Sequence, residues 1–209
     1  MKAITLILIP ALAAAAAGEP VWPHNTGPMR HVMVSITDGV LHAHVEGGDE
    51  PVMLERFPGE AYAGAAGVLD AMAYSNQFGW MTMGFLDPGA GNSIMIEAVT
   101  TTPGLEVYEG GMRSMIPMHT FAPIFGTAGS HAAWDWPGTM FHNWYAASDN
   151  GDYQAAYRIF VADARGQMVG SFGEAFATLH FRAVPAPAGA CALAGLGLFA
   201  CRRRRGGAS

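Results

Sequence analysis

Between residues 31 and 46 the chain alternates apolar and polar positions on either side of an Asp38-Gly39 dipeptide. An Asp-Gly pair flanked by period-two alternation predicts a hairpin closed by a two-residue turn. With the turn centred there, Ile36 faces Leu41, Val34 faces Ala43 and Val32 faces Val45, so one face is wholly apolar and is predicted core. The opposite face collects His31 with Glu46, Met33 with His44 and Ser35 with His42. Downstream, Gly, Pro and Asx turns separate runs rich in Val, Ile, Thr and aromatics, which predicts further strands at 51–57, 80–86, 93–100, 105–108, 131–136, 139–146, 153–163 and 174–182. Only 61–74 has a helical spacing, and Gly64 and Gly67 weaken it. Strands every ten to fifteen residues without a βαβ rhythm predict an all-β chain, a single β-sandwich of jelly-roll-like outline.

The two ends break this pattern. Met1-Lys2, the apolar stretch 3–12 and the small residues 13–18 read as a secretory signal peptide over residues 1–18. At the other end Val184-Pro185-Ala186-Pro187 is extended and poor in donors, 188–201 is an uncharged run of small and apolar residues, and Arg202, Arg203, Arg204 and Arg205 form a basic stop. Fourteen residues of helix span roughly 21 Å against a hydrocarbon core of about 30 Å, which suits a temporary anchor better than a permanent one.

Pro185, Pro187, the apolar run and the arginine cluster, in that order at the terminus, resemble the PEP-CTERM sorting signal of exported bacterial proteins. Ala186 stands where that pattern has glutamate. The resemblance covers residues 184–209 and concerns transport alone. It implies a transmembrane sorting helix, processing by an exosortase-type protease after signal peptidase has acted, and a place in the cell envelope, at the cell surface or in an exopolysaccharide matrix. The working protein is then 19–183, one domain in length.

Removing both ends changes the charge. Six arginines (Arg30, Arg56, Arg113, Arg158, Arg165 and Arg182) remain against all 17 acidic residues, a balance of −11 with no lysine. Such a surface argues against nucleic acid as a partner and against anionic headgroups. Both cysteines, Cys191 and Cys201, lie in the tail, so the domain must hold together by its core.

Candidate chemistry is sparse. His31, His42 and His44, with Met33 and Glu46, offer imidazole, thioether and carboxylate on one strand pair, ligands suited to zinc or copper; the plainer reading is the wet face of a half-buried hairpin. No cofactor is otherwise expected. Trp134, Trp136 and Trp144, among Asp135, His142 and Asn143, are the ring and polar-edge combination that stacks on sugars, but alternation buries at least half of such rings. Asp149-Asn150-Gly151-Asp152 is a turn sequence with too few oxygens in series for a calcium loop. No nucleophile elbow, zinc-protease helix or phosphate loop occurs, and Asp135, Glu97 and Glu174 are the carboxylates available for glycoside hydrolysis. The expectation is an exported, non-enzymatic surface or matrix protein, with a carbohydrate-binding module for exopolysaccharide and a glycoside hydrolase as alternatives.

Overall fold

A computed structural model of the chain describes residues 21–185. The expected signal peptide, residues 1–18, and the expected sorting tail from Ala186 on lie outside the described residues. The first hairpin forms in the expected register. β1 (Arg30–Thr37) and β2 (Val40–Val45) pair antiparallel with Val32 opposite Val45, Met33 opposite His44 and Ser35 opposite His42. Asp38 and Gly39 take φ of 52° and 75°, the positive pair that a type I′ turn needs. Val32, Val34 and Leu41 are buried, as the apolar face requires.

Ten more strands follow: β3 (Val52–Arg56), β4 (Ala73–Ser75), β5 (Phe78–Thr82), β6 (Ser93–Thr101), β7 (Leu105–Gly111), β8 (Pro123–Ile124), β9 (Ala133–Trp136), β10 (Phe141–Ala147), β11 (Gly151–Ala162) and β12 (Glu174–Ala183). The described part of the chain is all-β, with only short 3₁₀ turns between strands. Residues 61–74, expected as the one helical stretch, instead hold a 3₁₀ turn at Gly64–Leu69 and then β4. Ala71 at φ 60° ends that turn and redirects the chain into the sheet.

All twelve strands join one mixed sheet in the order β2-β1-β5-β10-β4-β3-β12-β11-β6-β9, with β7 on β10 and β8 on β7. Two pairs, β1 with β5 and β3 with β12, are parallel, which hairpin patterning alone does not anticipate. β3 pairs with β4 on one side and β12 on the other, so it carries the sheet from its first half to its second. The inner faces of the halves meet through aromatic rings. Trp80 meets Tyr157 edge-on at 5.4 Å, Phe78 meets Phe181 at 5.7 Å, and Tyr145 stacks on Phe181 at 4.6 Å. Each such ring removes well over 100 Å² of apolar surface from water, worth about 2–3 kcal/mol, and these contacts tie the halves together without a disulfide.

A second, smaller core lies on the other side of β10. Trp144 and Ala146 point into it, while Tyr145 and Ala147 point into the main core. The excursion that contributes Tyr62, Ala66 and Leu69, together with Phe121 from the β7–β8 connection, covers this side. β10 is therefore buried on both faces.

Candidate functional site

The densest polar cluster of the described chain lies where the segment before β1 crosses β4, β5 and β10. Thr26, Ser75, Asn76, Gln77, His142 and Asn143 are all buried. The cluster is held by directional bonds: the Thr26 hydroxyl donates to Ser75 Oγ at 2.8 Å, Asn76 Nδ2 donates to Asn25 Oδ1 at 2.6 Å, and the Thr26 N–H donates to Asn76 Oδ1 at 3.3 Å. Arg113, from the loop after β7, donates to the carbonyls of Thr26 and Gly27 and so clamps the segment down. Next to it, the His24 N–H donates to Tyr74 Oη at 3.0 Å, and the hydroxyls of Tyr62 and Tyr74 bond at 2.7 Å. Burial pushes the Tyr74 phenol up to about 12, so it stays neutral and can serve both partners.

His142 sits at the centre of this seam with no exposed surface. Its Nδ1 lies 3.0 Å from the carbonyl of Asn76. A carbonyl only accepts, so Nδ1 carries the proton and Nε2 keeps its lone pair. Burial pushes the ring down to about 4, with the positive Arg113 and the neighbouring His31 acting in the same direction. The imidazole is therefore neutral at any pH near 7. Gly110 makes room for this arrangement: a Cβ there would lie 1.7 Å from the His142 carbonyl oxygen, and the β7–β10 register shifts between His142 and Trp144. Asn143 Oδ1 accepts the Gly110 N–H at 3.3 Å.

The three hairpin histidines share a sheet face as expected, yet the fold does not gather them. His42 and His44 are exposed. His31 is half-buried with Nδ1 bonded to Glu46 Oε2 at 2.8 Å, and its ring faces His142 rather than His44. Among the described residues, no group of three or more His, Cys, Asp or Glu side chains could hold a metal ion. In the expected zinc or copper trio of His31, His42 and His44, the two residues on β2 stand about 6.6 Å apart, and the His31 ring lies against His142.

The three tryptophans lie inside the fold. Trp134, Trp136 and Trp144 are at most 8% exposed, so none offers a ring face to a sugar. Each spends its N–H inside the protein: Trp134 on Glu109 Oε1 at 3.1 Å, Trp136 on the Thr139 carbonyl at 2.9 Å, and Trp144 on His119 Nδ1 at 2.9 Å. Of the carboxylates, Glu97 and Glu174 both bind the guanidinium of Arg158 on an outer sheet face. Asp149 and Asn150 lie in the bend between β10 and β11, and Asp152 pairs with Arg182 at 2.5 Å. The first two residues of that segment redirect the chain and the last two open β11.

Asp135 borders an open cleft of about 490 Å³ together with Asn92, Ser93, Pro88 and Pro137, with Phe85 on its rim. Phe85 is 85% exposed, the most exposed large apolar side chain described. Sequence reasoning missed both Phe85 and the seam. The usable signal for the seam was the polar triple Ser75-Asn76-Gln77 directly before an apolar strand. Phe85 carried none, because its burial pattern breaks at the end of β5.

No family model, curated protein or solved structure matches the chain.

Proposed function

We propose that this is an exported bacterial surface or matrix protein: a non-enzymatic β-domain that is delivered, displayed and then freed or re-anchored through its PEP-CTERM-like tail. The observation that carries the reading is where the tail leaves the fold. β12 is an interior strand, paired with β11 from Glu174 to Ala183 and with β3 over Phe181–Ala183. Val184 and Pro185 follow at once, so the sorting motif Pro185-Ala186-Pro187 begins within two residues of the sheet. A pull on the tail then loads β12 against β11 along its length and against β3 at the end where the tail leaves. That is the arrangement a tethered domain needs, since the hydrogen bonds of both ladders share the load.

In this reading the domain is a β-sandwich, jelly-roll-like in outline and modified by the two parallel pairings. The hydrolase alternative loses ground because Glu97 and Glu174 are both engaged by the one guanidinium of Arg158. A sugar-binding role keeps one specific support, the cleft beneath exposed Phe85, where polar edges from Asp135, Asn92 and Ser93 surround an available ring. Extracellular polysaccharide is the partner it would take.

Intact mass spectrometry of the surface-located form tests the main reading. The mature species is expected to begin near Gly18 or Glu19 and to end near Pro187. A surface form that retains Arg202–Arg205 would overturn the processing and leave a simple tail anchor.

A further inference from the structure

His31, Gly79 and His142 stand in one row across β1, β5 and β10, on the side of the sheet away from Val32 and Trp80. Gly79 has no side chain, and the two imidazoles close over it. A Cβ on Gly79 would lie 2.6 Å from both Cε1 and Nε2 of His142, so that ring reaches across β5 towards β1 with Nε2 leading. The ring centroids of His31 and His142 are 5.7 Å apart at 71°.

Both Nε2 atoms are buried and have no hydrogen-bond partner. In each ring the other nitrogen is committed, His31 Nδ1 to the Glu46 carboxylate and His142 Nδ1 to the Asn76 carbonyl. These partners accept, so each Nδ1 donates and each Nε2 is the ring nitrogen left without a partner. An imidazole fixed through Nδ1 by a carboxylate or carbonyl, with a free Nε2, is the form in which histidine binds a metal. Two such unpartnered nitrogens, on rings whose centroids are 5.7 Å apart, suit a shared cation.

The spacing agrees with one ion. A metal about 2.0–2.1 Å from the nitrogen lies roughly 3.2 Å from the ring centroid, so two rings on one ion have centroids about 5.2 Å apart at a tetrahedral angle and about 6.4 Å when linear. The observed 5.7 Å falls between, as for a bent two- or three-coordinate ion. The neighbouring row on this face holds Met33 opposite Met81, both half-buried. Two imidazoles with thioethers at hand, and the nearest carboxylate already occupied, select a soft monovalent ion over zinc.

We propose that His31 and His142 form a buried copper(I) site through their Nε2 atoms, with the Met33 or Met81 thioether as the completing ligand. The site uses only one of the three hairpin histidines, and it goes beyond display: the domain would carry copper to, or hold it at, the cell surface.

The test is anaerobic competition for copper(I) between the purified full chain in detergent and a chromophoric copper(I) chelator. One equivalent is expected to move to the protein. His31→Gln and His142→Gln should each lower the affinity at least 100-fold, and the double variant Met33→Leu, Met81→Leu roughly tenfold. Changing His42 and His44 together to alanine should leave uptake unchanged. His31 is half-buried, so His31→Gln decides the matter if His142→Gln fails to fold. The proposal is overturned if the wild-type chain takes up no copper, as it would if the pair merely shared a proton. It is equally overturned if His31→Gln binds as well as wild type, if the His42/His44 variant loses uptake, or if zinc binds the same residues as tightly.

Discussion

Trp144 is the side chain on which the second core turns, and replacing it by phenylalanine should cost about 2–4 kcal/mol at neutral pH. Its ring is fully buried, stacks on Phe121 at 5.6 Å and meets Tyr74 edge-on at 5.7 Å. Its N–H donates to His119 Nδ1 at 2.9 Å, while His119 Nε2 lies 3.0 Å from the Met112 carbonyl. An indole N–H only donates and a carbonyl only accepts, so the neutral ring with its proton on Nε2 is the one tautomer that satisfies both. Trp144→Phe removes the donor and leaves Nδ1 buried and unpaired, about 1–3 kcal/mol. The smaller ring gives up roughly 40 Å² of apolar contact, about 1 kcal/mol more.

The same bond predicts a dependence on pH. Burial holds the His119 ring below its ordinary value, so the unfolded chain takes up a proton that the folded protein refuses. The stability this contributes is complete above the unfolded value near 6.5 and is lost as pH falls towards the folded value. In the wild type, protonating Nδ1 also sets N–H against N–H with Trp144. The phenylalanine variant has no such conflict, and its ring should accept the proton more readily. Urea unfolding of both proteins at pH 7.5 and pH 5 reads the two effects together: a gap of 2 kcal/mol or more at the higher pH that narrows at the lower. A gap under about 1 kcal/mol at pH 7.5, or one that widens in acid, would refute the assignment of this bond.

Gly110→Ala places a Cβ 1.7 Å from a backbone oxygen of β10, and because backbone cannot swing aside, unfolding studies should show a loss of about 3 kcal/mol or more. Gly39→Ala is the control: it meets nothing within 4 Å and should cost only about 1–2 kcal/mol for its positive φ. Phe85→Ala should leave the melting temperature unchanged, since the ring is exposed, but should lower retention on exopolysaccharide columns severalfold; unchanged retention would remove the sugar-binding alternative.

The parts of the fold that were legible in the sequence are those in which one face is wet. In the first hairpin, period-two alternation and the Asp38-Gly39 turn together set the register residue by residue, because a slip by one would have placed Val32, Val34 and Leu41 in water. β11 and β12 were visible for the same reason. β10 was legible as a strand, and its alternation of Phe141, Asn143 and Tyr145 against His142 and Trp144 holds. That Trp144 is buried followed only from the second core, whose cover comes from residues far away in sequence. The parallel pairing of β1 with β5 joins segments about fifty residues apart, and no local pattern encodes it. The seam failed for a related reason. Thr26, Asn76 and Arg113 are ordinary surface residues by composition, and only their convergence makes them interior.

That convergence has an energetic meaning. A seam of six buried polar side chains is a weak way to strengthen a fold, since each group gives up water and regains only a little net free energy from its bond. Apolar residues of the same volume would hold β4, β5 and β10 at least as firmly. Directional bonds do something that apolar contacts cannot: they accept the crossing segment in one register only. Thr26 and Gly27 fit beneath Arg113 because their carbonyls point at its guanidinium, and Gly27 takes a φ of 52°, where any side chain is strained. The seam thus fixes Asn76, whose carbonyl holds His142 Nδ1, and with it the direction in which the free Nε2 of that ring points.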